Sequence, residues 1–273
     1  MKNISLIIPI YKNIPSRYEL ISFLQSLKIL SRYKFSLVIP YGLNVTFYES
    51  HLKRLNIFYT LEQFNTSYFQ NISGYNKLML SLEFYNRFIN DDYILIYQLD
   101  SYIFSDDLEK WCHYDYDYIG APWLYIKNGN PFINGIGNGG LSLRNPKELK
   151  RYLESDSMRL NIKGCWKLYN SYNIIKKIIR IPKILLMMTG YKNNKTFYLE
   201  KVEFNEDYIF GFISQHSNNY LKIPTEKMAM QFAFDEYPGI VYELNNLKLP
   251  FGCHGWYKLE ENIQFWKQYI NYT

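Results

Sequence analysis

Six side chains in this sequence are, by type and position, candidates for acid–base or metal chemistry: Asp100, Glu206, Asp207, Asp235, Glu236 and His254. Hard divalent cations prefer carboxylate oxygens, commonly keep phosphate oxygens as further ligands, and in the case of Mn²⁺ also accept imidazole. Asp100 and His254 could therefore hold a metal ion on a diphosphate. Structural interpretations stand beside this one. Asp100 is a suitable turn residue after a strand, His254 lies in a glycine-containing turn, and Glu206 with Asp207 suits a helix N-terminus.

Several common catalytic motifs are missing. The chain has no GxGxxG that opens a helix after a strand, because the glycine cluster at 135–140 precedes a predicted strand, and it has no GxxxxGK[ST] loop and no GxSxG elbow. Cys112 and Cys253 each precede a histidine, but side chains of sequence neighbours diverge, and the spacing does not match a zinc site. The odd count of three cysteines argues against a disulfide framework and favours a reducing compartment. Carboxylate chemistry is what remains.

The first hundred residues alternate short apolar runs with amphipathic stretches, which predicts parallel strands joined by helices. Strands are predicted at 4–10, 35–39, 56–61 and 92–104, with one helix capped by Ser16 and another beginning near Ser73. The run at 92–104 is apolar until it reaches Gln98 and Asp100. Because ligands bind outside the carboxyl ends of strands in an open α/β sheet, this strand end is a candidate binding position.

The second half is predicted to be more elaborate. Four glycines between 135 and 140 let the backbone come close to a ligand or to another strand, and a strand at 141–144 and a helix from Pro146 follow them. A further strand is predicted around 229–235. Residues 171–197 mix aliphatic and basic residues and form a predicted helical insertion. This insertion has two interpretations: a basic amphipathic segment at a membrane surface, or a helix pair that closes over the core.

Size and charge narrow the class of protein. The 273 residues suit a single mixed α/β domain, and 31 Lys and Arg against 25 Asp and Glu give a net charge of +6. This excess is mild and spread through the chain, so nucleic acid is not an expected partner, whereas an anionic small ligand or a membrane surface is compatible. No secretory leader or run of about 18 apolar residues is present. We therefore expect a cytoplasmic protein with peripheral contact to the inner membrane.

Four motifs point to a family. GAPW at 120–123, GNGGLSLRN at 137–145, EDYIF at 206–210 and FGCHGW at 251–256, all after YQLDSYIF, resemble a bacterial family of glycosyltransferase-like domains long described as of unknown function. That family is similar to GT-A glycosyltransferases. The resemblance implies a GT-A-like, Rossmann-related mixed sheet with flanking helices. It also implies a nucleotide-sugar-binding half at about 1–110 and an acceptor-binding half at about 111–273.

The resemblance also assigns the donor side of the site. Asp100 matches the ligand carboxylate of the GT-A acidic motif, but Gln98 stands where a full motif has a second carboxylate. His254 resembles the late histidine that completes a metal shell, which implies a divalent cation, Mn²⁺ or Mg²⁺. The segment similar to one that touches the nucleotide contains Tyr75, Asn76 and Lys77. Lys77 is the implied phosphate ligand.

The acceptor side is assigned in the same way. Asn138, Gly139 and Gly140 resemble the stretch that approaches the transferred sugar or the acceptor, and Trp123 is the implied stacking residue for a sugar face. Asp207, with Glu206 as second choice, resembles the general base of inverting enzymes. The implied partners are a nucleotide-sugar donor and a glycan or lipid-linked acceptor, in the synthesis of surface polysaccharide or glycoconjugate.

Two other function classes stay open. A carbohydrate-binding or scaffold protein could keep this fold after losing catalysis, in which case Asp100, Asp207 and His254 should scatter or the donor pocket should be filled. A nucleotidyltransferase or phosphosugar enzyme would need a basic, glycine-rich loop after the first strand. The loop at 11–17 has the basic residues but no glycine.

Overall fold

The centre of the protein is a six-stranded sheet. The computed structural model describes residues 2–169, 172–200 and 204–272. The sheet contains, in spatial order, β3 (Tyr59–Phe64), β2 (Lys34–Pro40), β1 (Ile4–Pro9), β4 (Tyr93–Tyr97), β9 (Leu141–Arg144) and β6 (Tyr118–Ile119). The first four strands are parallel, and β9 is antiparallel to β4 and β6. The predicted mixed α/β fold is confirmed.

Both faces of the sheet are covered, which explains its continuous apolar strands. Leu6 and Ile8 of β1 belong to one core cluster, while Ile7 between them belongs to the other. Helices α1 (Arg17–Ile29) and α2 (Thr46–Arg54) cover the first face. The second face is covered by α3 (Ile72–Met79), α4 (Leu82–Arg87) and α6 (Pro146–Glu154). Strands covered on both sides carry apolar residues on both faces.

Local sequence signals set several helix ends. Ser16 and Glu19 form a reciprocal capping box at the start of α1. Asn145 caps α6, with Pro146 in its first turn, as the sequence predicts. The helix predicted from Ser73 is two helices, because Ser81 ends the first region and caps α4 through the Phe84 amide.

Three strand predictions needed correction. The strand predicted at 56–61 lies at Tyr59–Phe64, and the run at 92–104 is divided into β4 and the short β5 (Tyr102–Ile103). Residues 229–235 are mostly helix α12 (Glu226–Phe232), which Thr225 caps, before the two-residue strand β10 (Ala233–Phe234). A capped helix start overrode the apolar run. Strands β10, β11 (Gly252–Cys253) and β5 form a second small sheet, and β7 (Pro122–Lys127) pairs with β8 (Asn130–Ile136).

Apart from α5, the remaining α-helices lie in the second half of the chain. They are α5 (Leu108–His113), α7 (Ile162–Lys167), α8 (Ile174–Ile179), α9 (Ile181–Met188), α10 (Lys195–Glu200), α11 (Glu206–Tyr208), α13 (Pro238–Leu244) and α14 (Glu260–Trp266). The insertion predicted at 171–197 contains α8, α9 and the start of α10, with a turn at 189–194, and Ser171 lies outside the described residues. No described helix combines the length and apolarity needed to cross a bilayer. The division into donor and acceptor halves stays a prediction.

Candidate active site

A cleft of about 620 Å³ opens at the carboxyl edge of the parallel strands. Tyr11 follows β1, and Gln98 and Asp100 follow β4. Strand β9 runs antiparallel to β4, so its first residue, Leu141, pairs with the last residue of β4. The backbone N–H of Gln98 donates a hydrogen bond to the Gly140 carbonyl at 2.8 Å. The glycine-rich loop before β9 therefore meets the acidic end of β4 at the same edge of the sheet.

Most residues predicted for the site line this one cleft. They are Tyr75, Asn76, Gln98, Asp100, Asn138, Gly139, Gly140, Glu206, Asp207 and His254. Convergence of side chains from such distant parts of the chain is a property of the fold, and it is the test that separates a built site from scattered carboxylates.

Lys77 and Trp123 are not among the described residues that line the cleft. Successive residues of a helix point about 100° apart, so Asn76 faces the cleft while Lys77 is exposed in a separate shallow depression beside Glu200. The Trp123 ring lies against Gly137 and stacks on Tyr208, with the ring centroids 5.9 Å apart. Trp123 therefore packs the structure next to the cleft.

Charged groups alternate at the Asp100 end of the cleft. Asp100 Oδ1 lies 3.3 Å from His254 Nε2, and Asp100 Oδ2 lies 2.5 Å from Lys258 Nζ. His254 Nδ1 lies 3.1 Å from Asp235 Oδ1, and His254 Nε2 lies 3.3 Å from Gln98 Oε1. Two carboxylates and two cations balance here, with the Lys258 side chain still 53% exposed.

This arrangement shifts the pKa values of Asp100 and His254 in opposite directions. Burial alone would raise the pKa of Asp100, but the charges of and hydrogen bonds from His254 and Lys258 hold it well below its usual range. Burial alone would lower the pKa of His254, but Asp100 and Asp235 raise it to about 9. This raised pKa favours the imidazolium form of His254, in which both ring nitrogens are hydrogen-bond donors.

The donor set does not fit a metal ion as it is arranged. The described residues contain no group of three or more His, Cys, Asp or Glu side chains that could hold one. Both oxygens of Asp100 face basic side chains, and both ring nitrogens of His254 lie within 3.3 Å of a carboxylate oxygen. The cations at this end of the cleft are the protein's own side chains.

Gly139 and Gly140 allow the two acidic regions to approach each other. A Cβ atom at Gly139 would overlap the Glu206 carboxylate, and a Cβ atom at Gly140 would overlap the His254 ring. The sequence predicts backbone approach to a ligand or to another strand, and the resemblance implies a sugar or an acceptor; in the structure the side chains of Glu206 and His254 lie against these glycines, which also line the cleft. Because Gly139 and Gly140 are adjacent, the side chains of Glu206 and His254 pack against neighbouring residues of one loop.

Glu206 is held in a buried ion pair. Arg144 Nη2 donates to Glu206 Oε1 at 2.8 Å, and neither side chain is more than 4% exposed. Arg144 also donates to the Tyr85 hydroxyl at 3.1 Å and to the Gly139 carbonyl at 3.3 Å. These bonds fix Glu206 in place, so its carboxylate is a structural partner of Arg144 and Gly139.

Asp207 has a different environment although it is the next residue. Its Oδ2 accepts a hydrogen bond from the backbone N–H of Asn138 at 2.8 Å. Among the described residues, Asp207 has no ion-pair partner. Burial and the adjacent charge of Glu206 raise the pKa of Asp207 to about 6, against the backbone hydrogen bonds that lower it. A carboxylate with this pKa is suited to accept a proton near neutral pH.

Sequence reasoning missed three important side chains of the cleft region: Glu19, Arg144 and Lys258. Glu19 lines the cleft and binds Lys12 at 3.0 Å, a pairing that the capping box at Ser16 could have indicated. Lys258 follows the FGCHGW motif by two residues and was the nearest cation to His254 in the sequence. Arg144 lies within the GNGGLSLRN motif, but nothing in the spacing of that motif indicated Glu206 as its partner.

Several solved structures are similar to this chain in backbone fold, at low sequence identity. Mouse xyloside xylosyltransferase 1 in its apo form is 10% identical with a TM-score of 0.48, over 92% of this chain and 96% of that one. The galactosyltransferase LgtC is 12% identical with a TM-score of 0.47, over 92% and 86%. The glycosyltransferase GlyE of Streptococcus pneumoniae is 14% identical with a TM-score of 0.46, over 98% and 60%. With every score below 0.5, no substrate or activity is carried over to this chain.

Comparison with curated proteins and with families gives a narrower result. No curated protein matches this sequence. One family profile, described as protein of unknown function (DUF5672), matches residues 58–254. The match includes Asp100, Gly139, Glu206, Asp207 and His254, and ends before Lys258. The sequence motifs had likewise predicted a family of unknown function. Since the profile match covers well over half of the sequence, the chain belongs to the DUF5672 family.

Proposed function

We propose that this protein transfers a sugar, with inversion, from a nucleotide-diphosphate sugar to a glycan or lipid-linked acceptor. One observation carries the proposal: a carboxylate suited to act as a base, Asp207, shares a cleft with a cationic group formed by His254 and Lys258. Glycosyl transfer needs a base for the acceptor and positive charge for the leaving group. The two are joined here by the loop that contains Gly139 and Gly140.

The donor diphosphate would bind at the cationic end. Lys258 is half-exposed and borders the cleft, and the raised pKa of His254 favours its protonated form at neutral pH. Both are held by Asp100, which keeps the cations in position before a donor arrives. Phosphate oxygens would compete with Asp100 for the Lys258 ammonium group, and a charge-assisted hydrogen bond from Lys258 would stabilise the negative charge that the diphosphate gains as it leaves.

The transfer step follows from these positions. The acceptor oxygen attacks the anomeric carbon, the bond from that carbon to the diphosphate oxygen breaks, and the nucleoside diphosphate leaves with the bonding electrons. Asp207 takes the acceptor proton through the carboxylate oxygen that the Asn138 amide does not hold. Asn138 Nδ2 is buried and has no partner among the described residues, so it is a free donor beside the base. Attack from the face opposite the leaving group inverts the anomeric centre.

A divalent cation is the alternative source of positive charge for the diphosphate. Mn²⁺ or Mg²⁺ at Asp100 and His254 would have to displace Lys258 and the imidazole proton. We propose that Lys258 and His254 take the role that the resemblance gave to Lys77 and to the metal. Since nucleotide sugars are available in the cytoplasm, the proposed reaction takes place there.

The competing classes are less well supported. A decayed scaffold should have scattered acids or a filled pocket, whereas Asp100, Asp207 and His254 border an open cleft. A nucleotidyltransferase would need a basic, glycine-rich loop after β1, and the loop at 11–17 contains no glycine.

The test is a calorimetric and thermal-shift screen of UDP, GDP, CMP and dTDP sugars with the full chain, with and without Mn²⁺. We expect saturable binding to one nucleotide class without added metal, lost in Lys258→Ala and kept in Lys77→Ala, a lysine outside the cleft. Binding that depends on Mn²⁺ would transfer the phosphate role to a metal. Failure of every donor to bind would favour the scaffold interpretation.

A further inference from the structure

Helices α8 and α9 present an unusually apolar surface to solvent. Ile174, Ile175, Ile178 and Ile179 of α8 are 70%, 65%, 57% and 68% exposed, and α8 has no buried residue. Leu185 and Leu186 extend this patch onto α9 and are 60% and 46% exposed. We call these six side chains, with Lys176, Lys177, Arg180 and Lys183, the α8–α9 surface. Contiguous exposed aliphatic side chains of this kind mark an interaction site.

The helices are nevertheless attached firmly to the body of the protein. Ile184 and Met187 of α9 are buried in the same core cluster as Ile209 and Phe210, which follow the candidate base Asp207. Arg159 donates a hydrogen bond to the Met188 carbonyl at the end of α9. Of the two interpretations of the insertion, α9 partly fulfils the closing role. Helix α8 closes over nothing.

Positive charge is concentrated in this part of the chain, contrary to the even spread predicted from the total. Between Ser157 and Leu199 the sequence contains nine Lys and Arg residues and no Asp or Glu. The whole chain has 31 cationic and 25 acidic residues, so outside this segment the acids are in excess. Among the described residues, none of the four cations of the α8–α9 surface has a carboxylate partner. Arg180 and Lys183 instead lie 5.9 Å from the Tyr169 ring.

We propose that the α8–α9 surface docks on an anionic phospholipid bilayer. Exposed aliphatic side chains beside unneutralised cations are what an interfacial helix presents, the former entering the acyl boundary and the latter facing anionic headgroups. At six and eight residues, α8 and α9 lie on a bilayer and do not cross it. A second copy of this chain fits poorly, because an isologous contact would bring two sets of cations together.

This docking does not depend on the proposed transferase, although it would suit a lipid-linked acceptor. Helix α10 follows the surface and ends at Glu200, and Asp207 comes seven residues later. The core cluster shared by α9 and the residues after Asp207 links the docked surface to the acceptor side of the cleft.

Sedimentation with vesicles tests the proposal without donor or acceptor. The full chain should bind phosphatidylcholine vesicles containing 30% phosphatidylglycerol, and added salt should weaken the binding, whereas pure phosphatidylcholine vesicles should bind at least ten-fold less. Replacing Lys176, Lys177, Arg180 and Lys183 by Gln should lower the partition coefficient at least about 100-fold. The matched control replaces Lys28, Lys110, Lys248 and Lys267 by Gln, which removes the same charge from exposed positions elsewhere and should change it less than about three-fold.

A second variant tests the apolar part of the surface. Ile175→Ser, Ile178→Ser and Ile179→Ser together should abolish vesicle binding and leave the thermal melting temperature nearly unchanged, because α8 is not buried. Equal losses in the control variant, or equal binding to both vesicle types, would overturn the proposal. A third result would also overturn the proposal: the wild type forms an oligomer in sedimentation velocity and does not bind vesicles, while the Ile-to-Ser variant is monomeric. That result would assign the surface to contact with a second copy of the chain.

Discussion

The two ends of the cleft use the same residue types in different ways. At one end His254 and Lys258 both contact Asp100, and these contacts lower the pKa of its carboxyl group and favour the ionised form. At the other end Arg144 is committed to Glu206, and the adjacent Asp207 has a raised pKa. The difference teaches that the role of a carboxylate here depends on how the cations are distributed. Asp100 is suited to organise cations, and Asp207 to accept a proton.

The largest expected effect is at the base. Asp207→Asn keeps the size of the side chain and its acceptance of the Asn138 amide but removes the basic oxygen, so kcat should fall by about 10³-fold. Donor affinity measured by calorimetry should stay within about two-fold, since the donor site is at the other end. Asp106→Asn, at a surface ion pair with Arg32, is the control. Normal turnover in Asp207→Asn would remove Asp207 from the mechanism.

The next effect is on stability. Arg144→Met leaves the Glu206 carboxylate buried without its partner, and breaking a buried ion pair costs about 3–5 kcal/mol in the free energy of unfolding. Urea denaturation measures this loss. Arg32→Met, which breaks an exposed pair with Asp106, should cost less than about 1 kcal/mol. Similar losses in the two variants would contradict the distinction between a buried pair beneath the cleft and an ordinary surface pair.

Lys258→Ala sharpens the assignment of the cationic end. Losing one charge-assisted hydrogen bond to phosphate should weaken binding of the nucleoside diphosphate about 10- to 100-fold. Unfolding stability should change little, because Lys258 is half-exposed. Lys77→Ala, the matched control outside the cleft, should leave affinity within about two-fold. The reverse order of effects would return the phosphate role to Lys77.

The smallest expected effect is the pH dependence near neutrality. Asp207 must be deprotonated to act as a base, so kcat/KM should fall as the pH drops through about 6. The folded-state pKa of His254, about 9, is raised above its ordinary value, so both its stabilising charge and leaving-group assistance are present below neutrality and are lost as the pH rises through about 9. The profile should therefore be flat within about two-fold between pH 7 and 8. Asp235→Asn should move the upper limb to lower pH, and an unmoved limb would contradict the His254 assignment.

Much of the fold could be predicted because its signals are local. The runs that form β1 and β4, the Ser16 cap and Pro146 at the start of α6 each depend on neighbouring residues. Predictions failed where two local signals competed, as in α12, where the cap at Thr225 overrode an apolar run that resembled a strand. Site residues were found where motif and strand end coincided, as at Asp100. Lys77 was wrongly associated with the cleft because a one-residue step on a helix changes the direction of the side chain.

By itself, the sequence determined an α/β sheet with an acidic residue at its carboxyl edge, since strand patterning and the position of Asp100 can both be read along the chain. Only the tertiary structure decided which cation meets which acid. Arg144 and Glu206 are 62 residues apart in sequence, and His254 is 156 residues from Gln98. Such pairings depend on how the strands are ordered and on the space left above Gly139 and Gly140. Electrostatic roles arise from these distances, and a linear order of residues does not contain them.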